Sequence, residues 1–220
     1  MNGDVKWVQD SALMMATIDD GTVQLPRVGR EHYLGMSAIG GCAAEQWHQY
    51  HNADTHGAGI EPSLQRIFDL GHVIEDLVVG YMKAGGASIL STQAEYIDFD
   101  GRLRGHSDLV LGTEDGKKIV TDVKSMNQRN FDWLKKAGFK TSHWKYYCQL
   151  TMYAGYEGAD AIQIIAYGKD TSEIIVQTME FDAGCFEMLK SRAMMILDAP
   201  TKPPCEKGNG RVKWCGCRRA

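Results

Sequence analysis

Two strand-like segments joined by a glycine-bearing turn constrain this chain more than any other feature. Gly105-His106-Ser107-Asp108-Leu109-Val110-Leu111 and Lys118-Ile119-Val120-Thr121-Asp122-Val123-Lys124 both read as strands, with Gly112 to Gly116 between them. A three-residue turn, Glu114-Asp115-Gly116 with Gly116 in the left-handed region, sets Thr113 against Lys117. That register places Asp108 directly opposite Asp122, with Cβ atoms about 4.5 to 5.5 Å apart, where like charges repel. A divalent cation removes the repulsion. Lys124 lies two residues beyond Asp122 and so shares its face, where an ammonium can orient water or stabilise developing negative charge. Oxygen ligands of this kind suit Mg²⁺ or Mn²⁺.

A third carboxylate comes from the preceding helix. Pro62 opens it, it runs to about Met82, and Leu64, Ile67, Phe68, Gly71, Ile74 and Val78 recur at helical spacing. Glu75 falls on the stripe of Phe68, Gly71 and Val78, and an acid on an apolar stripe is costly to bury unless paired or metal-bound. Further on, Lys145, Gln149 and Tyr153 recur at i, i+4 and i+8 on a helix expected from about Ser142 to Tyr156. This polar stripe suits the same site.

The rest of the pattern places a helix at 37–50 with Ser37 as its N-cap, strands at 88–99, 102–111, 117–124, 161–167 and 174–179, and a last helix at 183–197. Met14 to Ile18 and Thr22 to Leu25, flanking Asp19-Asp20-Gly21, read as a small hairpin. The order α, α, β, β, β, α, β, β, α predicts an α/β fold, a mixed central β-sheet flanked by helices. Three regions are expected: an N-terminal extension at 1–60 with a helix carrying Cys42, a core at 61–199, and a cysteine-bearing tail at 200–220 set off by Pro200, Pro203 and Pro204.

The 220 residues, 44% hydrophobic and 24% charged, have the composition of a soluble globular chain. No stretch approaches the roughly 18 apolar residues of a membrane span, and Asp4, Asp10, Asp19 and Asp20 leave no room for an apolar targeting core, so a cytoplasmic protein is expected. The net charge of −4 gives no global basic footprint, but it hides two basic stretches. From Lys124 to Lys145 six Lys and Arg, among them Lys135, Lys136 and Lys140, face the single acid Asp132. From Lys202 to Ala220 six more accompany only Glu206. His48, His51 and His56 lack complementary ligands and read as a solvated helix end, and Gly57 to Gly59 lacks the Lys-Ser/Thr of a phosphate loop.

Taken in order, Gly71-x-x-x-Glu75, Gly105-x-x-Asp108, Asp122-Val123-Lys124-Ser125 and Gln149-x-x-x-Tyr153 resemble the motifs of the PD-(D/E)XK nuclease superfamily. The nearest likeness is to its RecB/AddB-like exonuclease branch, which includes iron-sulfur nucleases of CRISPR systems and phages. The resemblance spans residues 71 to 153 and implies a restriction-endonuclease-like core and a metal-dependent DNA exonuclease. Such an enzyme would work on DNA ends in recombination, repair, phage DNA processing or CRISPR-type trimming, with recombination or CRISPR-adaptation proteins as partners. By resemblance, Glu75, Asp108, Asp122 and the Val123 carbonyl hold the metal and Lys124 is catalytic with them. By the same resemblance Gln149 and Tyr153 contact nucleic acid or support the site; the charge count and the helical stripe, not the resemblance, add Lys145 to that face and set Lys135, Lys136 and Lys140 along the approach of the strand. Many relatives have His where this chain has Glu75; His72 is out of register and reads as a surface or supporting residue. The alternatives are a nucleic-acid-binding or assembly module on a decayed core, an RNA nuclease, or a structure-specific endonuclease. Glu75, Asp108, Asp122 and Lys124 are all present, which speaks against decay.

Of the six cysteines, Cys42 follows Ser37-Ala38-Ile39-Gly40-Gly41, similar to the Ser-x-x-x-x-Cys helix start of the iron-sulfur branch. With Cys205, Cys215 and Cys217 it makes one early and three late thiols, the arrangement in which a cluster joins the C-terminal tail to the N-terminal helix. Four thiolates suit a 4Fe-4S cluster or a structural Zn²⁺. The Cys205-x₉-Cys215-x-Cys217 spacing departs from the branch's pattern, which leaves cluster, zinc and unligated thiols open. Cys148 and Cys185 fall inside expected helices and read as core thiols.

Overall fold

The computed structural model describes residues 14–22, 32–51 and 61–206. Its sheet runs in the order β1-β3-β4-β5-β6, with β2 on the other edge of β3. The strands are β1 (Leu34–Gly35), β2 (Ile89–Asp98), β3 (Leu103–Gly112), β4 (Lys118–Met126), β5 (Ala161–Gly168) and β6 (Ile174–Glu180). The helices are α1 (residues 14–22), α2 (Ala43–His51), α3 (Pro62–Ala84), α4 (Gln128–Ala137), α5 (Phe139–Ser142), α6 (Trp144–Glu157) and α7 (Ala183–Asp198). This is a mixed α/β fold with a central sheet flanked by helices, consistent with a restriction-endonuclease-like core.

Side-chain alternation sorts the layers. Leu109, Val123 and Ile165 turn to one face and pack with Ile74 and Val78 of α3. Val110, Val120, Ile162, Ile164 and Ala166 turn to the other, where Leu150 and Met152 of α6 and Leu189, Ala193 and Ile196 of α7 complete the main core. α6 fits closely there because Gly155 has no Cβ: one built at that position would lie 2.2 Å from Phe186 Cδ2 of α7.

Between β3 and β4 the turn forms as its residues predict. Thr113 N donates to Lys117 O at 3.0 Å, and Gly116 takes the left-handed conformation at φ 81°. The resulting ladder pairs Gly112 with Lys118 and runs to Leu109 opposite Thr121. There it stops. Since β2 holds the other edge of β3, β1 pairs with Leu103 and Arg104 on the edge that β4 has left. The two strands thus fork, and Asp108 and Asp122 stand at the first position beyond the last pair.

The N-terminal part departs from the sequence reading in two places. Residues 14–22 form a helix instead of a hairpin; Asp19 lies 2.6 Å from Arg66 of α3, and Thr22 Oγ1 donates back to the Ile18 carbonyl. Ser37 does not cap α2, because it lies in the 3₁₀ turn Met36–Ala38 and Gly40-Gly41 interrupts the helix. A Cβ on Gly40 would stand 3.0 Å from Cys148 Sγ, so the break lets this loop close onto α6. The basic stretch after β4 forms two helices, α4 and α5.

Candidate active site

The fork gathers side chains from five elements. Asp122 is fully buried on the α6 face of β4, and Gln149 Nε2 of α6 donates to its Oδ1 at 3.3 Å. Its Oδ2 lies 2.5 Å from Lys124 Nζ, a charge-assisted contact between a buried carboxylate and the ammonium. Asp108, its side chain 14% exposed, stands 3.9 Å from the same Nζ and accepts a 2.8 Å hydrogen bond from Val123 N. A carboxylate thus takes up a backbone amide of β4 where the ladder has ended. Lys124 Nζ also lies 3.4 Å from the Val123 carbonyl and 5.6 Å from the Tyr146 ring centroid.

Glu75 reaches the site from α3, its side chain 18% exposed and its Oε1 accepting from Gln93 Nε2 at 2.8 Å. His72 is 79% exposed and 3.9 Å from Glu75 Oε2. Gln93 is a site residue that the sequence reading missed. Thr92 pairs with Leu109 and Ala94 with Ser107, so Gln93 falls opposite Asp108, and its φ of 53° is rare for a residue with a side chain. A glutamine in a strand carries no signal of this kind. Tyr146, beside Lys124, was also missed; it lies at i−3 from Gln149 on α6.

The charges strain one another. Burial lifts Asp122 above the usual carboxylate range, with the neighbouring Asp108 adding to the lift and Lys124 opposing it. Burial lifts Asp108 too, Glu75 adds its repulsion, and Lys124 again pulls the other way. Glu75 is raised by burial against the charges of Lys124 and His72. Burial works against the Lys124 ammonium, but Asp122 and Asp108 outweigh it and hold its pKa above the ordinary lysine value. Three carboxylates share one ammonium, an excess of negative charge in a buried fork.

The remaining expected residues divide by burial. Gln149 and Tyr153 are both buried and 3.3 Å apart, and Tyr153 stacks on Tyr96 with centroids 5.6 Å apart. Their position suits support of Asp122 more than contact with a ligand. Gly105, the glycine of the Gly-x-x-Asp motif, faces them: a Cβ there would lie 2.5 Å from Tyr153 Cε1 and 2.9 Å from Met36 Cβ. Lys135, Lys136 and Lys145 are exposed. Lys140 is engaged elsewhere, 3.3 Å from Asp182 at the start of α7 and over the Tyr147 ring.

Among the described residues no three His, Cys, Asp or Glu side chains are gathered closely enough to chelate a metal as they stand. Glu75 is turned onto Gln93, and Lys124 lies beside both aspartates. Cys42 is buried and its Sγ accepts from Glu206 N at 3.5 Å, which brings the tail to the N-terminal helix. Glu206 holds that contact. It accepts from Ala43 N at 2.8 Å, in the first turn of α2, and pairs with Arg192, whose guanidinium also donates to the Ile39 and Gly41 carbonyls. Cys205 is the neighbouring residue; Cys215 and Cys217 lie outside the described residues. Cys148 is a core thiol and Cys185 is half-buried against the same core.

The fold is that of known nucleases. The chain superposes on the crystal structure of SSO0001 with a TM-score of 0.55 at 16% identity, covering 86% of this chain and 88% of that one. It superposes on the alkaline exonuclease LHK-Exo from Laribacter hongkongensis with a TM-score of 0.55 at 11% identity, over 83% and 90% of the two chains. A phage-related exonuclease from Haemophilus somnus 129PT gives 0.52 at 14% identity, over 74% and 78%. No family model matches the chain, and no curated protein matches its sequence. Among the described residues no helix is long and apolar enough to cross a membrane.

Proposed function

We propose that this chain is a metal-dependent nuclease that hydrolyses phosphodiester bonds in DNA, working from ends. The observation that carries the reading is the buried Asp122 at the strand fork, paired by charge to Lys124 with Asp108 beside it. A buried carboxylate next to a second acid is costly to a fold that makes no use of the pair. Two proteins that share the fold, LHK-Exo and the phage-related protein, are named exonucleases, and LHK-Exo has also been crystallised with dAMP.

The donors fit Mg²⁺ or Mn²⁺ in chemistry, being hard oxygens only: Asp108, Asp122, the Val123 carbonyl and, once turned from Gln93, Glu75. A bound ion would lower the pKa of a water and neutralise charge on the scissile phosphate. The chain's own residues do the rest. Gln149 fixes the carboxylate plane of Asp122, Val123 N fixes Asp108, and Lys124 presents a held positive charge to a water or a phosphate oxygen. The test is end-labelled single- and double-stranded DNA incubated with Mg²⁺, with Mn²⁺ and with EDTA. Wild-type protein cleaves only with metal, whereas Asp108→Ala, Asp122→Ala and Lys124→Ala do not. Cutting by Lys124→Ala at the wild-type rate overturns the assignment.

The tail contact supports a second element of the reading, a thiolate centre of Cys42, Cys205, Cys215 and Cys217. Glu206, the residue after Cys205, is held by Ala43 N and Arg192 with its own N against Cys42 Sγ. Such a centre holds a 4Fe-4S cluster, with Zn²⁺ as the alternative, and metal analysis of anaerobically purified protein separates them. A brown protein that loses colour on Cys42→Ser but not on Cys148→Ser carries the cluster; colourless protein with one zinc carries the alternative.

A further inference from the structure

Beside the carboxylates runs a row of aromatic side chains that the active-site chemistry leaves unused. Lys124 Nζ lies 5.6 Å from the centroid of Tyr146. Tyr146 is stacked on His143, with centroids 5.4 Å apart and planes inclined by 2°. His143 in turn meets Trp133 of α4 at 5.5 Å. The row therefore starts at the catalytic ammonium and leads away from it over α6 and α4.

All three rings are half-buried, so each keeps part of its surface in solvent. Trp133 is the least expected of them. α4 buries Phe131 and Leu134 completely, and Trp133 lies on the other side of the helix, at i+4 from Arg129 and i−3 from Lys136, both exposed. His143 is held by a 2.7 Å hydrogen bond between its Nδ1 and Ser142 Oγ, which fixes the ring plane parallel to Tyr146.

We infer that Tyr146, His143 and Trp133 form a stacking track for unpaired nucleobases, and that the strand the site takes is single-stranded. The inference rests on the nuclease reading and names its substrate class. Aromatic faces flanked by cations are how single strands are held without sequence preference, because every base offers a π-face and every linkage a phosphate. A duplex hides its base faces in its own stack, so the track would favour an open strand or a frayed end. Arg129 and Lys136 would take the phosphates alongside Trp133, and the row would deliver the backbone to Lys124.

The experiment measures binding without cleavage. A fluorescein-labelled oligothymidylate, the same strand with abasic sites, and a blunt duplex are titrated by fluorescence anisotropy against the full chain in EDTA. The wild type should bind the oligothymidylate about tenfold more tightly than the abasic strand or the duplex. Trp133→Leu and Tyr146→Leu, which keep apolar volume, and His143→Ala should each lose most of that preference while binding the abasic strand unchanged. Urea midpoints close to the wild type show that the variants fold. Equal binding of abasic and base-bearing strands by the wild type overturns the inference, as does a variant set that weakens both probes alike. A protein that prefers base-bearing strands but cleaves nothing with Mg²⁺ or Mn²⁺ keeps the track and loses the nuclease reading. A protein that cleaves without discriminating does the reverse.

Discussion

Lys124 Nζ and Asp122 Oδ2 are 2.5 Å apart at the base of the fork, and this pair lets two acids sit side by side without a metal. Burying a carboxylate costs several kcal/mol unless a partner compensates, and here the ammonium supplies the compensation. Lys124 thus has a structural duty beside the catalytic one proposed for it. Lys124→Ala should leave an unpaired buried acid and lower the stability of metal-free protein by about 3 kcal/mol. Lys124→Met paired with Asp122→Leu should recover most of that loss, which urea melts would register.

The pH response of the metal-free protein follows from the same charges. Asp122, Asp108 and Glu75 all have folded pKa values raised above their usual range, first by burial. A raised folded pKa means that the folded state binds protons more tightly than the unfolded one. The stabilisation is therefore full below the ordinary carboxylate range and is lost as pH rises through the folded values. Lys124, raised above its usual value, keeps its contribution throughout that window and does not change the slope. Without metal, the protein should lose stability between about pH 4 and pH 7, at up to about 1.4 kcal/mol per pH unit for each proton difference. Asp122→Asn should flatten the profile. A wild-type urea midpoint that rises across this range contradicts the proposed electrostatics.

Gln93 joins an unfavourable backbone conformation to a contact with Glu75. A residue with a side chain held at a φ of 53° costs about 1 kcal/mol or more, whereas glycine adopts it freely. Gln93→Gly should therefore leave the chain as stable as the wild type, or slightly more so, while releasing Glu75. If Glu75 is a ligand, Mn²⁺ affinity measured by calorimetry should change by several-fold with little change in melting. Unchanged affinity would leave Glu75 outside the ligand set.

The centre of the sheet could be read from residues because one turn fixes it. Gly116 sets the Thr113–Lys117 closure, and the ladder follows residue by residue until the fork. Gln149 and Tyr153 could be placed on one helical face by spacing alone. The fork itself was not legible, since it depends on β1 displacing β4 from the edge of β3, a long-range pairing of only two residues. For the same reason Gln93 gave no sign of its φ or of Glu75. Asp19-Asp20-Gly21 was misread as a hairpin turn because its partner, Arg66, lies 47 residues away. Glu206 looked like a lone acid in a basic tail, yet it is the tail's anchor.

Gly105 tests whether the Gly-x-x-Asp spacing is steric. An alanine there would place its Cβ 2.5 Å from a Tyr153 ring atom and 2.9 Å from Met36. Tyr153 is buried in the main core and touches Gln149, so the ring cannot yield without disturbing the support of Asp122. Gly105→Ala should cost about 1 to 3 kcal/mol in a urea melt. Tyr153→Leu in the same chain should recover part of it by removing the clash, and a neutral Gly105→Ala would show that the core is looser than this packing.

Glu206 carries the last expectation. Its carboxylate lies below the usual glutamate range, first through the hydrogen bonds from Arg192 and then through Ala43 N. A lowered folded pKa gives stability that is present above the ordinary range and lost as pH falls through the folded value, opposite in sign to the fork acids. Glu206→Gln keeps the shape but weakens the pairing with Arg192, and should cost about 1 kcal/mol near neutrality and nothing in acid. Glu206→Ala should cost more, because Ala43 N and the part-buried guanidinium lose an acceptor together. The decisive readout is local. Hydrogen exchange of the amides at the start of α2 should quicken in Glu206→Ala while those of β4 and β5 stay protected. Equal exchange at Ala43 in variant and wild type would mean that the tail does not hold this helix in solution.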